Sequence, residues 1–409
     1  MEPLPPVVTL ENILQQAQLA ASMLKEMRSG TFSPQNDKAA PVFRSEEVAQ
    51  AAGITRNVLN HRISNNSALP QGSLNATGRK RTFTLAETQT LAREFRAGRL
   101  RPAQAEAVTI AVANFKGGTT KTTTAMTLAQ GLTLLGHRVL AIDVDPQGSL
   151  TTLFGLLPDV EISEDETLLS VIDQENELYT VRPLIRQTYW ANLDLIPAAS
   201  SLFGAEFLLP ALQQQHADFE FWNILNLALQ DVRSDYDVII LDTPPSLSYL
   251  TINALMAANG IIMPLPPQML DFASASQFWR LFADVSSAFE RKAGTIKEFD
   301  FINILLTKVE RRSSQEIASQ WIMGTYADKV LPLEIPKTET AAQKSMTFGT
   351  VFDSFADEVK DRTYKRAREA YDQFVLRIDD QIQNAWKRQM LQTGASTAVA
   401  TDANLGVSA

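Results

Sequence analysis

Residues 116–123 read Lys116-Gly117-Gly118-Thr119-Thr120-Lys121-Thr122-Thr123, and residue types in this order suit a polyphosphate. Without a Cβ, Gly117 and Gly118 let the backbone wrap closely around phosphate oxygens and turn several N–H groups inward, with Thr119, Thr120 and Thr123 continuing the cradle. Lys121 supplies a mobile charge for the outer phosphates, and the Thr122 hydroxyl is placed to ligate Mg²⁺. Two apolar runs that follow end in acids: Val139-Leu-Ala-Ile-Asp143-Val-Asp145 and Val238-Ile-Ile-Leu-Asp242. Carboxylates at the carboxyl ends of parallel strands beside a nucleotide can touch Mg²⁺-bound water and an attacking water. Asp242 is therefore expected to hold a Mg²⁺ water. Asp143 has two open readings, support of the metal shell or capping of the next turn.

These groups need a scaffold, and the apolar patterning supplies one. Residues 108–112 read as a buried strand, and Met126, Leu128, Ala129, Leu132 and Leu135 fall at helical spacing before Gly136. Further strand-like runs occupy 193–197, 236–242, 300–308 and 330–336, with helical patterns at 219–232 and 353–391, the latter carrying Phe355, Val359, Tyr371, Phe374, Val375, Ile378, Ile382 and Trp386. Alternating strands and helices predict an open α/β fold, a mainly parallel sheet flanked by helices with the nucleotide at the carboxyl ends of its strands. Residues 393–409 are small and polar and read as a disordered tail.

Composition bounds the class. The 409 residues are 45% hydrophobic and 20% charged, which suits a soluble chain of two or more domains. No apolar run is long enough to span a bilayer, and the start lacks the layout of a signal peptide, so the expected location is cytoplasmic, with no membrane partner. The absence of cysteine excludes disulfides and thiolate metal sites.

The net charge of −9 hides an asymmetry: residues 39–105 carry ten Lys/Arg against four acids, and residues 106–409 carry 24 against 38. A basic module ahead of an acidic body points to a polyanion at the front end. Within it, a helix from Ser45 with Val48, Ala49 and Ala52 inward meets Gly53, and a second helix from Thr55 places Val58, Leu59 and Ile63 inward. The spacing of Ala49, Gly53 and Leu59 resembles a helix-turn-helix. Its outer face offers Arg56, Asn57, Asn60, His61 and Arg62 to DNA phosphates and base edges, and Arg79, Lys80 and Arg81 form a basic wing. The other reading is a structural hairpin with a solvated basic face. Thr84 with Glu87 caps a third helix. The chain thus divides into a helix and linker (1–41), a basic all-α, winged module (42–105), an α/β body (106–392) and the tail (393–409). The amphipathic stretch 10–27 either packs on its own chain or pairs with a second copy.

The phosphate box departs from the ordinary pattern, with Thr120 where a glycine precedes the lysine and with an extra lysine, Lys116. Lys-Gly-Gly-x-x-Lys-Thr-Thr resembles the deviant Walker A box of the ParA/MinD family of ATPases. Asp143-Val-Asp145-Pro-Gln, Asp242-Thr-Pro-Pro and the stretch through Gly260-Ile-Ile-Met-Pro-Leu resemble the boxes that follow it. The resemblance runs over residues 108–350 and more loosely over 10–105, like ParA-type partition ATPases of the long subtype with an N-terminal helix-turn-helix. It implies an ATP-hydrolysing homodimer with Mg²⁺, in which Lys116 crosses to the partner's nucleotide, Asp145 positions the hydrolytic water and Asp143 supports the metal shell. It also implies that Thr307, Lys308 and residues 333–336, including Pro336, close over the adenine. Partners implied are a ParB-type centromere-binding protein, an operator bound by the N-terminal module, and bulk DNA bound in the ATP state. Candidates for bulk DNA contact are Arg311, Arg312, Lys344, Arg362, Lys365, Arg366 and Arg368, whose other and commoner reading is a solvated helix face. Rival readings are a MinD-like membrane-associated regulator, which wants a basic amphipathic C-terminal helix, and a nucleotide-sensing repressor without a segregation role.

Overall fold

The computed structural model describes residues 7–29, 38–75, 80–172, 179–216, 218–294, 296–310, 312–338, 349–353 and 362–405. Helix α1 (Leu10–Ser29) leads to a small module of β1 (Phe43–Arg44), α2 (Ser45–Ala51), α3 (Arg56–Asn65), β2 (Ser73–Leu74), β3 (Arg81–Phe83) and α4 (Leu85–Phe95). The three short strands form an antiparallel sheet in the order β1-β3-β2. The Thr55 hydroxyl caps α3, and Thr84 with Glu87 forms a capping box on α4. On α3 the buried side chains are Leu59 and Ile63, four apart on one face, whereas Val58 is exposed rather than inward. It lies one residue, and so about 100°, off that stripe.

The body is an eight-stranded sheet in the order β11-β10-β9-β4-β8-β5-β7-β6. Its strands are β4 (Val108–Val112), β5 (Val139–Asp143), β6 (Arg186–Gln187), β7 (Leu193–Ile196), β8 (Val238–Asp242), β9 (Gly260–Leu265), β10 (Phe301–Val309) and β11 (Val330–Pro336). All pairings are parallel except β6 with β7. Strands β4, β5, β8 and β9 are buried at every position, as strands covered by helices on both faces must be.

Helix α5 (Lys121–Leu134) follows the phosphate loop. Later come α6 (Ala205–Gln215), α7 (Tyr249–Ala257), α8 (Met269–Ala293), α9 (Ser313–Tyr326) and α10 (Arg362–Leu405), with shorter helical turns between α5 and α7. Where a helix was expected over 219–232, a 3-10 turn (Phe221–Asn223) meets a five-residue helix (Ile224–Ala228). Asn223 and Asn226 are poor helix formers there. Helix α10 continues to Leu405 rather than giving way to a disordered tail at 393. Extending an existing helix needs no new nucleus, and this stretch is rich in alanine. The expected helical positions Phe355 and Val359 lie outside the described residues.

One core joins the module to the body. Phe43, Val48, Leu59, Ile63, Phe83 and Leu91 bury into the same cluster as Ile110 and Leu128 of the body and as Phe374 and Trp386 of α10. At the crossing of α5 and α10 a Cβ on Gly131 would stand 2.3 Å from Val375 Cγ2, so only glycine permits that approach.

A buried charge cluster pins the same three parts. Asp379 on α10, fully buried, accepts from Arg96 (2.6 Å), Arg99 (2.6 Å) and His137 Nε2 (2.7 Å). Burial alone would raise the Asp379 pKa, but the His137 hydrogen bond and the two guanidinium groups outweigh it and hold the carboxyl below its usual range. Its share of stability is complete above the unfolded carboxylate pKa of about 3.9 and is lost as pH falls from there through the lower folded value. Asp379→Ala strands Arg96 and is expected to destabilise the protein by about 3–5 kcal/mol, read as a lowered urea midpoint with an unchanged slope. A loss under about 1 kcal/mol would show that the cluster behaves like a surface pair.

Candidate nucleotide site

The register of three central strands assembles the site. Val112 of β4, Asp242 of β8 and Asp143 of β5 lie side by side, so the phosphate loop and both acids leave the sheet at one level. The loop turns tightly: Gly118 has φ +74° and Thr120 φ 76°. The second is a left-handed conformation that costs a threonine about 1 kcal/mol or more. A Cβ built on Gly117 or Gly118 would meet no atom of the described residues within 4 Å. The described residues thus leave clearance above this loop, which is what a phosphate cradle requires.

Strand β10 props the loop from behind. The Thr307 hydroxyl donates to Thr119 O (3.3 Å) and Lys308 Nζ to Gly118 O (2.6 Å). Both residues thus touch the phosphate loop's backbone, with Lys308 itself at φ 53°. Beside the loop lies a cavity of about 980 Å³, lined by Lys121, Thr122, Asp145, Lys308, Pro336 and Tyr371 among others. Pro336, from the expected adenine-side loop, does line it. Tyr371 was legible only as a core position of the last helix, and nothing in the local sequence marks it as reaching the cavity.

Inside the site the electrostatics are those of a buried, cation-hungry cluster. Among the described residues neither carboxylate oxygen of Asp242 accepts a well-aligned hydrogen bond, although the residue is almost wholly buried. Burial, then the nearby Asp143, push its pKa well above the carboxylate range, and the neighbouring Thr122 hydroxyl and Lys121 only partly oppose this. Burial lowers the Lys121 pKa by more than Asp242 and Asp145 raise it. An orphaned carboxylate beside the Thr122 hydroxyl fits Mg²⁺, which takes one or two protein groups and fills its shell with water and phosphate oxygens. No group of three or more His, Cys, Asp or Glu among the described residues could hold a metal alone.

The structure separates the two acids of the β5 box. Asp143 accepts from the Thr151 N–H (2.8 Å) and hydroxyl (2.7 Å) on one oxygen and from the Asp145 N–H (3.2 Å) on the other. Its carboxylate is taken up in shaping the turn, so of the two open readings the geometry favours the cap. Burial pushes Asp143 up to about 7, against the Thr151 hydrogen bonds. Asp145 lines the cavity, one oxygen held by the Gln147 N–H at 3.0 Å. Lys116 is not among the cavity-lining residues, and its Nζ lies 2.7 Å from Asp271 on α8.

The expected DNA-facing residues lie apart from this cavity. Arg56, Asn57, His61 and Arg62 are exposed on α3, Asn60 is half-buried, and Lys80 and Arg81 sit on the β2–β3 hairpin, Lys80 exposed. Arg56 pairs with Glu46 at 2.7 Å across an exposed surface. Arg362, Lys365 and Arg366 are exposed on α10, and Arg312 pairs with Glu310. Arg368 is withdrawn from any DNA-facing role: it lies over the Phe352 ring and pairs with Asp372 (3.1 Å), because it sits one turn after buried Tyr364. Arg79, Arg311 and Lys344 lie outside the described residues.

Comparison with known proteins finds relatives across the α/β body and beyond it. A family model described as an AAA domain matches residues 107–293. The chromosome partitioning protein ParA of Caulobacter vibrioides is 32% identical over 56% of this chain and 80% of its own length. A provisionally named replication protein A of Rhizobium rhizogenes is 30% identical over 94% of this chain and 97% of its own. A solved structure described as a partition protein superposes with a TM-score of 0.63 at 20% identity, covering 91% of this chain and 98% of that one, a likeness of fold.

Removing the Lys121 charge should cost nucleotide binding about 1.5–3 kcal/mol, the worth of a hydrogen bond to a charged group. Calorimetric titration of Lys121→Ala with ADP and Mg²⁺ reads this directly, and wild-type affinity would contradict the assignment. Asp145→Ala should bind nucleotide as wild type does yet release no phosphate.

Proposed function

The chain belongs to the ParA-type partition ATPases, and from that premise we propose that it binds ATP with Mg²⁺, hydrolyses it slowly to ADP and phosphate, and uses the cycle to segregate DNA. The observation that carries this reading is the convergence of an unfilled glycine cradle, Lys121 and the orphaned Asp242 at the end of adjacent parallel strands. Backbone N–H groups of residues 117–123 hold the phosphates, and Lys121 follows the charge onto the outer ones. Thr122 and Asp242 would hold Mg²⁺, which would supply positive charge against that developing on the phosphates. Asp145 orients the attacking water. Lys116 reaches the nucleotide of a second copy, so that two chains close over two nucleotides.

The basic module is the operator reader in this proposal. Helix α3 presents Arg56, Asn57, His61 and Arg62 to a major groove, Lys80 and Arg81 contact flanking phosphates, and the protein represses its own operon. The ATP-bound dimer holds bulk DNA through Arg362, Lys365 and Arg366, placing the protein in the cytoplasm on the nucleoid, and a ParB-type centromere-binding protein stimulates turnover. The exposed apolar side chains Leu10, Ile13 and Leu14 of α1 suit pairing with a second α1. No helix among the described residues is long and apolar enough to cross a membrane.

Gel shifts with random and upstream DNA, each with ADP, ATP and a non-hydrolysable analogue, test the division of labour. The ATP analogue should favour random DNA, and the upstream sequence should be bound in a nucleotide-dependent way. In the operator complex, Arg56→Ala with Arg62→Ala should flatten the log–log salt dependence by about 0.9 for each lost phosphate contact. An unchanged slope would return α3 to the role of a structural helix.

A further inference from the structure

We propose that Asp271 is a latch on Lys116, holding it within its own chain and so setting how readily two ATP-loaded copies associate. This rests on the reading that Lys116 reaches a second copy's nucleotide. The Lys116 ammonium lies 2.7 Å from an Asp271 oxygen, with the lysine side chain 36% exposed and the aspartate only 4%. Asp271 sits in the first turn of α8, where the positive helix end also favours its charge. Two turns along the same helix, Phe278 packs edge-on against Phe115, the neighbour of Lys116, with ring centroids 4.5 Å apart. Seven residues apart, Asp271 and Phe278 share a face of α8, and together they grip Lys116 and the residue just before it.

The pair is asymmetric, and the asymmetry gives the latch its direction. Lys116 is about a third exposed and can leave, but its departure strands a nearly dry carboxylate whose one side-chain partner, among the described residues, is that lysine. Crossing to a second nucleotide therefore competes with the latch, and only a γ-phosphate-bearing site on the other copy offers the ammonium a stronger anion. Met269 and Leu270, immediately before Asp271, are 52% and 76% exposed, apolar surface beside the latch that a second copy would cover.

Sedimentation equilibrium of the full chain with Mg²⁺ and a non-hydrolysable ATP analogue tests this. Asp271→Asn keeps the shape and removes the charge, and it should tighten the analogue-dependent dimer by about tenfold or more, while ADP affinity of the monomer stays within about twofold. Asp271→Glu retains the charge and should stay near wild type, which separates a latch from a merely structural residue. A dimer of Asp271→Asn as weak as wild type, or weaker, overturns the latch. Lys116→Ala, run alongside, tells the two ideas apart. If it dimerises like wild type, the crossing of Lys116 fails and the latch with it; if it is impaired while Asp271→Asn is unchanged, only the latch fails.

Discussion

Everything functional in this molecule depends on the level at which three parallel strands end. Parallel pairing of β4 with β8 and of β8 with β5 sets Val112, Asp242 and Asp143 side by side. Such a register is strongly specified here because every residue of these strands is buried, and a slip of one would turn each side chain to the opposite face. The phosphate loop therefore leaves the sheet next to the acid of β8 and the turn of β5. The helix that follows that loop is buried from Thr124 to Leu134, so the cradle stands on a packed core element while Thr122 and Thr123 stay open to the cavity.

The site is electrostatically incomplete in a way that selects its ligand. Asp242 is buried with the Thr122 hydroxyl beside it and no well-aligned hydrogen bond among the described residues, Asp143 is committed to the turn, and Lys121 is desolvated near Asp242 and Asp145. Neither a free anion nor a free cation balances such a cluster, because each would strand the opposite charge in a dry setting. A magnesium polyphosphate brings both signs at once. That complementarity, rather than the glycines alone, explains why the cavity suits a nucleotide.

The phosphate box, the two acid-ended strands and the α/β layout were legible in the sequence, because each rests on contiguous residues with a fixed period or spacing. The capping of α4 by Thr84 and Glu87 was legible for the same reason. What the sequence left open depends on groups that meet only in three dimensions. The hydrogen bonds of Asp143 come from Thr151, eight residues on, and Tyr371 reaches the cavity from a helix more than 200 residues after the loop. The withdrawal of Arg368 follows from the buried face of α10, which a charge count does not reveal. Nor does periodicity say which apolar faces meet, so the module at the front was expected as a separate body, whereas Leu59 and Leu91 share a core with α10. This sharing, with the Asp379 cluster beside the end of α5, gives the nucleotide helix and the basic module a common floor.

The claim at the centre of this account is that the backbone amides of residues 117–123 hold the phosphates. Amide hydrogen exchange across the whole chain, with and without ADP and Mg²⁺, tests it most directly. The account predicts that exchange slows in residues 117–123 more than in any other exposed loop when nucleotide binds. Bound nucleotide with unchanged exchange in that loop would contradict it.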